Sequence, residues 1–410
     1  MRKPMRRPVA IVLLALVASL LGVATPGTAY AAESIPTLQW SPPANVGATG
    51  ASLTPATAPN GNITLPCSGD GSSDSDLRTY SPTGQLVQSI SRTQFIDGVR
   101  NCIMYPAVDK TGAVYGRPYG RNSSGVYANG PNLLAYNGNT LKWKYPMCNS
   151  QPAVGADGNI YVLTQAADGT HLIGLAPNLA SGQTQPTKVR DFKVSADCDH
   201  VLRPYKDGIA LRYPYVDDRP KYYSYGGKYL GQAPIMGEWS TDALGAEGQF
   251  FGPAYTWSGN NVKSAAVSMY DPRIGKTMWT TPVSTPGANV MSLKLHAINN
   301  GVVAIIYEWK MTSDYIPVTP TEWVNTLVTL DNNGHEVRRV TLPNQTTQGK
   351  YREAGVSSVA DASGKVAVLR DMSLPTGDSD YPTVSGIFVG VYDAVNGTWF
   401  YQKVMSGDMS

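Results

Sequence analysis

Two stretches decide how this chain is read: Pro106 opens PAVDKTGAVYG (106–116), and Pro152 opens PAVGADGNIYV (152–162). Each is a short apolar run, a polar turn closing on glycine, and a second run rich in β-branched and aromatic residues, which is a hairpin pattern. Working outward, weaker copies begin at Thr54 (TPATAPNGNITL), Arg203 (RPYKDGIALRY), Asp242 (DALGAEGQFFG), Leu295 (LHAINNGVVAII) and Ser358 (SVADASGKVAVL). The turn glycines are Gly61, Gly112, Gly158, Gly208, Gly248, Gly301 and Gly364, spaced by roughly 50 residues, a period that marks a repeat architecture.

A second pair of strand-like runs follows each hairpin: LRTYSPTGQLVQS from Leu77, LLAYNGNTLKWKY from Leu133, LIGLAPNL from Leu172, KYYSYGGKYLG from Lys221, VSMYDPRIGKTMW from Val267, LVTLDNNGHEVRRV from Leu327 and FVGVYDAVNGTWFY from Phe388. No long apolar stripe of 3.6-residue period interrupts them beyond residue 31. Each repeat therefore supplies four antiparallel strands, and seven such units predict an all-β, seven-bladed β-propeller over 32–410. Thr37–Ser41 (TLQWS) precedes the first hairpin and reads as an outer strand, either pairing with the last blade or marking an incomplete eighth.

The run Tyr270-Asp271-Pro272-Arg273-Ile274-Gly275-Lys276-Thr277-Met278-Trp279, with the PAV hairpins, resembles the quinoprotein-like (PQQ-like) β-propeller repeat. The resemblance spans about residues 50–404. It implies that Trp143, Trp279 and Trp399 occupy one repeat position and pack between adjacent blades. It specifies fold more than function, because such propellers include dehydrogenases, assembly scaffolds and secreted binding proteins. A catalytic PQQ enzyme would show adjacent cysteines beneath the quinone; no Cys-Cys pair occurs here, and no cofactor is expected.

Residues 1–31 read as a secretory signal peptide. MRKPMRRP carries four positive charges and no acid, an apolar run spans Val9 to Ala24, and Ala29-Tyr30-Ala31 supplies a small-x-small cleavage site after Ala31. The 16-residue apolar run is shorter than the roughly 18–20 residues of a spanning helix. No cysteine near that site offers a lipid anchor, Leu374-Pro375-Thr376-Gly377 lacks the last residue of a sortase signal, and a released, monomeric protein is expected. The whole chain has 33 Lys plus Arg, 30 Asp plus Glu and net charge +3; removing the leader leaves 29 bases against 30 acids, about −1. No basic face for nucleic acid is implied.

Four cysteines in an exported chain favour two disulfides, with three connectivities open. Their register narrows the choice. Cys102, Cys148 and Cys198 each lie ten residues before their turn glycine, and Cys67 lies six after Gly61, so neighbouring blades suggest Cys67–Cys102 and Cys148–Cys198.

In a four-stranded blade the strand 2–3 loops and the blade-to-blade connections share one face. Insertions concentrate there: RPYGRNSSGVYANGPN from Arg117, EWKMTSDYIPVTPTEW from Glu308 and SLPTGDSDYPTV from Ser373, with Tyr255 and Trp257 in blade 5. Candidate ligand-binding residues are Arg117, Tyr119, Tyr127, Trp257, Trp309, Tyr315, Trp323 and Tyr381, accompanied by Arg121, Asp314, Asp378 and Asp380. Aromatics on loops of a rigid scaffold suit stacking on sugars or extended peptides, or else pack those loops onto the blades. The expected partner is an extracellular polysaccharide or protein. A secreted carbohydrate-active hydrolase or lyase and an envelope assembly scaffold are the alternatives.

Signals for catalysis are poor. HExxH, GxSxG, phosphate-loop and dinucleotide motifs are missing, and His171, His200, His296 and His335 are scattered. Asp197-Cys198-Asp199-His200, with Glu238 at the matching place of blade 5, and Asp70, Asp74 and Asp76 have ligand-type side chains. They read as solvated loop charges, and no metal is expected.

Overall fold

The computed structural model describes residues 56–58, 62–67, 76–81, 85–91, 94–103, 105–179, 181–212, 219–233, 242–259, 261–310, 322–342, 356–360, 363–373 and 384–406. Seven antiparallel four-stranded sheets follow one another along the chain and make it a seven-bladed β-propeller. Blade 1 is built from Ala56–Thr57, Ile63–Leu65, Leu77–Tyr80 and Leu86–Ile90, and blade 2 from Ala107–Val108, Val114–Gly116, Asn132–Asn137 and Thr140–Pro146. Blade 3 comprises Ala153–Val154, Ile160–Ala166, Gly169–Leu175 and Lys188–Lys193; blade 4 comprises Val201–Tyr205, Gly208–Arg212, Lys221–Ser224 and Tyr229–Gln232. Blade 5 is Ala243–Leu244, Phe250–Ser258, Asn261–Asp271 and Lys276–Pro282, and blade 6 is Asn289–Ile298, Gly301–Lys310, Glu322–Asp331 and Glu336–Thr341. Blade 7 is Val356–Ala360, Lys365–Ser373, Val384–Asp393 and Thr398–Ser406. Six of the seven predicted glycines lie at the turn joining strands 1 and 2; Gly61 and the Thr37–Ser41 run lie outside the described residues.

The chain divides into two compact units, the break falling in the last strand of blade 4 between Leu230 and Gly231. Blades 1–4 form one unit and blades 5–7 the other. Within each, apolar residues alternate along the middle strands and fill the space between neighbouring sheets. In the first unit Tyr115, Leu133 and Trp143 of blade 2 pack with Ile160, Val162 and Ile173 of blade 3. In the second, Phe251, Val267 and Met269 of blade 5 pack with Leu293, Leu295 and Ala304 of blade 6.

A recurring device ties the outer strands of blades 1, 2, 3 and 5 to the next blade. Strands 3 and 4 carry a β-bulge, and the strand 4 residue paired just ahead of it is Gln88, Trp143, Arg190, Trp279, Arg338 or Tyr401 in blades 1, 2, 3, 5, 6 and 7. A bulge re-aims the side chain beside it. Trp279 Nε1 donates to Asn332 O (2.9 Å), Arg190 Nε to Tyr225 O (3.0 Å), Trp143 Nε1 to Pro177 O (3.4 Å) and Gln88 Nε2 to Gly138 O; every acceptor lies between strands 3 and 4 of the following blade. Trp143 and Trp279 thus bridge blades as expected. Trp399 does not share their register position: it pairs with Tyr392, two residues before Tyr401, and its ring meets that of Tyr392 tilted at 50° and 5.0 Å, but it too packs between blades, against the cluster formed by blades 6 and 7. The turns are of equal length, closing on Asp271↔Lys276 and Asp393↔Thr398, but Trp399 follows Gly397 by two residues whereas Trp279 follows Gly275 by four, so the tryptophan stands two places earlier on strand 4.

All four cysteines are paired, as Cys67–Cys102 and Cys148–Cys198, with Cα separations of 5.6 and 5.0 Å. Cys102, Cys148 and Cys198 sit in the connections entering blades 2, 3 and 4, and Cys67 sits after strand 2 of blade 1. Two disulfides fit an extracellular protein. Among the described residues no helix is long and apolar enough to cross a membrane.

Candidate functional site

In the first unit, the insertion from Arg117 is ordered β structure, not open loop. Tyr119–Arg121 pairs with Tyr127–Asn129 as one hairpin, and Phe95–Ile96 pairs with Val99–Arg100 as another. The bridges Val99↔Asn122 and Ile103↔Pro118, and the bond from Tyr119 N–H to Cys102 O (2.7 Å), join the hairpins into an accessory layer beside blade 2. The 95–100 hairpin turns on Asp97-Gly98, both at positive φ (53° and 81°), the pairing a two-residue hairpin turn demands. Asp97 also fastens the layer: its carboxylate accepts from Lys144 Nζ and Asn132 Nδ2, each at 2.8 Å. Burial alone would raise the Asp97 pKa, but these donors hold it below the usual carboxylate range.

Beneath the layer, Arg117 is half-buried. Its Nε donates to Gly130 O, and its Nη1 donates to Asn149 Oδ1 at 2.5 Å. Asn129 Nδ2 donates to the same oxygen (2.8 Å), and Asn149 Nδ2 donates to Asp199 Oδ1 (2.9 Å). Asn149 and Asp199 each follow a cysteine of the Cys148–Cys198 disulfide, so the crosslink sets that contact. Burial pushes the Arg117 pKa down, and Asp199 opposes the shift. The neighbouring His200 is committed elsewhere, its Nδ1 accepting from the Asp197 N–H at 3.0 Å.

In the second unit, strands 2 and 3 of each blade run 9 to 11 residues, against 3 to 7 in the first. The extra length carries aromatics to the strand 2–3 ends. Trp257 in blade 5 is 49% exposed although its backbone is paired with Val262, and the Tyr255 ring meets it edge-on at 6.3 Å and 73°. Burial lifts the Tyr255 hydroxyl pKa to about 12, so it is a neutral donor at any physiological pH. In blade 6, Trp309 and Trp323 are cross-strand partners. The Glu308 carboxylate beside them is buried and accepts from the Thr285 N–H (2.5 Å) and Oγ1 (2.8 Å) of the preceding connection.

Tyr119 and Tyr127 therefore lie in the accessory layer with Arg117 below it, and Trp257, Trp309 and Trp323 at the strand 2–3 ends of blades 5 and 6. Tyr315, Tyr381, Asp314, Asp378, Asp380, Asp70, Asp74 and Glu238 lie outside the described residues. Among the described residues no three His, Cys, Asp or Glu side chains are grouped to hold a metal ion. Sequence reading missed the 95–100 hairpin, although Asp97-Gly98 between Phe95-Ile96 and Val99-Arg100 is a short-range hairpin signal.

No family model and no curated protein matches the chain. Solved structures similar to it include dihydro-heme d1 dehydrogenase NirN (11% identity, 86% of this chain and 66% of that one, TM-score 0.47). They also include the β-propeller domain of the Trilobed protease from Pyrococcus furiosus (10%, 87% and 95%, TM-score 0.41) and prolyl oligopeptidase B from Galerina marginata (9%, 86% and 51%, TM-score 0.45).

Proposed function

We propose that this is a secreted, non-catalytic propeller of the PQQ-like repeat type that binds an extracellular polymer, a polysaccharide foremost, through the side of its blades bearing the strand 2–3 loops and connections. The observation that carries the reading is Trp257. A tryptophan half open to solvent on a paired strand, fixed by an edge-on tyrosine, offers a flat apolar face whose conformational entropy is already spent before a ligand arrives. Pyranose rings present C–H faces that match it. The secretion leader, two disulfides and a near-neutral mature charge support an extracellular polymer over nucleic acid.

The test is thermal unfolding of the oxidised protein against cell-wall and plant saccharides. A ligand at about a hundred times its dissociation constant adds roughly 2.7 kcal/mol. The reading expects a saturable rise that Trp257→Ala removes without lowering the unliganded transition; no rise with any saccharide sinks it for polysaccharides and leaves protein partners.

A further inference from the structure

Fastening the accessory layer uses only part of the Arg117–Asn149–Asp199 chain. Arg117 Nε donates to Gly130 O and Nη1 to Asn149 Oδ1. A guanidinium holds more N–H groups than these two bonds consume, and among the described residues nothing else accepts from Arg117. At the far end of the amide, Asp199 accepts from Asn149 Nδ2 through Oδ1, which leaves Oδ2. Asn149 Oδ1 takes two donors, Arg117 and Asn129, while its Nδ2 faces a carboxylate, so the amide is held in one orientation. Asn149 and Asp199 are exposed, and the spare donor and acceptor therefore stand at the surface.

The fold gathers these groups at one end of the first unit. Tyr105, Asn149 and Asp199 come just ahead of strand 1 of blades 2, 3 and 4, and those three inner strands are neighbours. Tyr105 is 39% exposed and meets no other ring among the described residues. Its level in blade 2 is bracketed: Ala107 pairs with Tyr115 on one side and Ile103 bridges Pro118 on the other, so the backbone around Tyr105 faces the backbone around Arg117. The Cys148–Cys198 crosslink holds the Asn149 and Asp199 backbones together. Order of this kind is present before a ligand arrives and lowers the entropy a ligand must overcome.

Charge decides the ligand class. Arg117 and Asp199 sit at the two ends of one side-chain amide and feel each other's charge. An anion drawn by Arg117 meets Asp199, and a cation drawn by Asp199 meets Arg117, so neither is favoured. A donor and an acceptor held side by side instead match two adjacent hydroxyls, each of which donates and accepts. We infer that Tyr105, Arg117 and Asp199 form a site for the uncharged vicinal diol of a sugar residue, Arg117 donating to one hydroxyl, Asp199 Oδ2 accepting from its neighbour, and the Tyr105 ring lying against an adjoining C–H face. The inference rests on the polymer-binding reading above and adds a site in the first unit that Trp257 does not supply.

The experiment measures binding of the full oxidised protein to dextran, cellohexaose, laminarin and polygalacturonate, with Asp199→Asn, Tyr105→Ala and Trp257→Ala as variants. Dextran and cellohexaose are uncharged and carry adjacent free hydroxyls; the interior residues of laminarin have no adjacent pair, and polygalacturonate adds a carboxylate beside its diol. Dextran or cellohexaose should bind about tenfold or more tighter than both of the others, since a like charge or an unmatched polar group opposes them. Asp199→Asn keeps an oxygen for Asn149 and should weaken that binding about tenfold, because an ionised acceptor bonds roughly twice as strongly as a neutral one. Tyr105→Ala should weaken it too, and neither variant should move the unfolding transition. Laminarin or polygalacturonate bound as tightly as the neutral diol glycans, or binding unmoved in either variant, overturns the inference. Binding lost in Trp257→Ala but unmoved in Asp199→Asn and Tyr105→Ala leaves the polymer-binding reading standing and removes this one; no binding to any of the four removes both.

Discussion

Replacing Gly334 by alanine probes how one blade of the second unit holds the next. Gly334 sits between strands 3 and 4 of blade 6 at φ +82°, and a Cβ there would lie 2.6 Å from Trp279 Cδ2 and 2.8 Å from its Cγ. Gly287, in the same unit, has φ +79° with nothing within 4 Å of an added Cβ, so it isolates the backbone cost. A left-handed backbone costs an L residue roughly 1–2 kcal/mol, and that is all Gly287→Ala should lose. Gly334→Ala adds an overpacking cost of about 1–3 kcal/mol because the Trp279 ring, bonded to Asn332 O, cannot retreat without breaking its bond. The total is about 2–5 kcal/mol. Urea unfolding followed by circular dichroism gives the two losses. Repeating Gly334→Ala in a Trp279→Ala background should return its cost to that of Gly287→Ala, a coupling of about 1–3 kcal/mol. Equal losses at both glycines, or no coupling, would refute the seat.

Other consequences follow from the same structure. Cys148–Cys198 closes a span of 50 residues, so Cys148→Ser/Cys198→Ser should lose about 4 kcal/mol by loop entropy. At roughly 2–4 °C per kcal/mol for a unit of this size, calorimetry should show a fall of about 8–16 °C; a fall under about 3 °C would mean the crosslink constrains little. His171 is flanked by Asp191 (2.7 Å) and Asp168 (3.0 Å), which together raise its pKa. Its stabilisation is therefore complete below the ordinary histidine range and is lost as pH rises through the elevated value; an NMR titration of the ring with a midpoint at or below 6.5 would contradict this. His296 is the opposite case. Burial, then Lys294, lowers its pKa to about 4 while its Nε2 faces Ser358 Oγ at 2.8 Å. Its contribution is present above pH 6.5 and is lost as pH falls toward 4, up to about 3 kcal/mol. His296→Gln should flatten that limb of the stability profile in urea titrations, and an unchanged limb would exclude His296 as its source.

The hairpin repeat was legible because turn glycine and alternating strands are local signals. The disulfides were legible because three of the cysteines share a place in that repeat and Cys67, after strand 2 of blade 1, returns to the same end of its blade. The bridge between blades was legible only where its residue is tryptophan. Gln88, Arg190 and Arg338 occupy the same register position, but their partners are backbone carbonyls or, for Arg338, a bare Gly397, which leave no side-chain pattern to read. Trp399 shows the converse: a tryptophan two places earlier on strand 4, after a turn of the same length, falls at another register. Around the candidate site, Arg117, Tyr119, Arg121 and Tyr127 drew notice through their long insertion. The 95–100 hairpin drew none, because its place depends on two hairpins, from a connection and an insertion, bridging each other. Non-local pairing of short strands has no period to detect.

The measurement that bears most directly on the central claim combines binding and chemistry on one sample. Oxidised protein is incubated with the polysaccharide that gives the largest thermal shift, and bound polymer and newly formed chain ends are quantified together over hours. The account predicts saturable binding, weakened in Trp257→Ala, with polymer length unchanged. Chain ends that accumulate in proportion to protein and time would contradict it and make this propeller a carbohydrate-active enzyme.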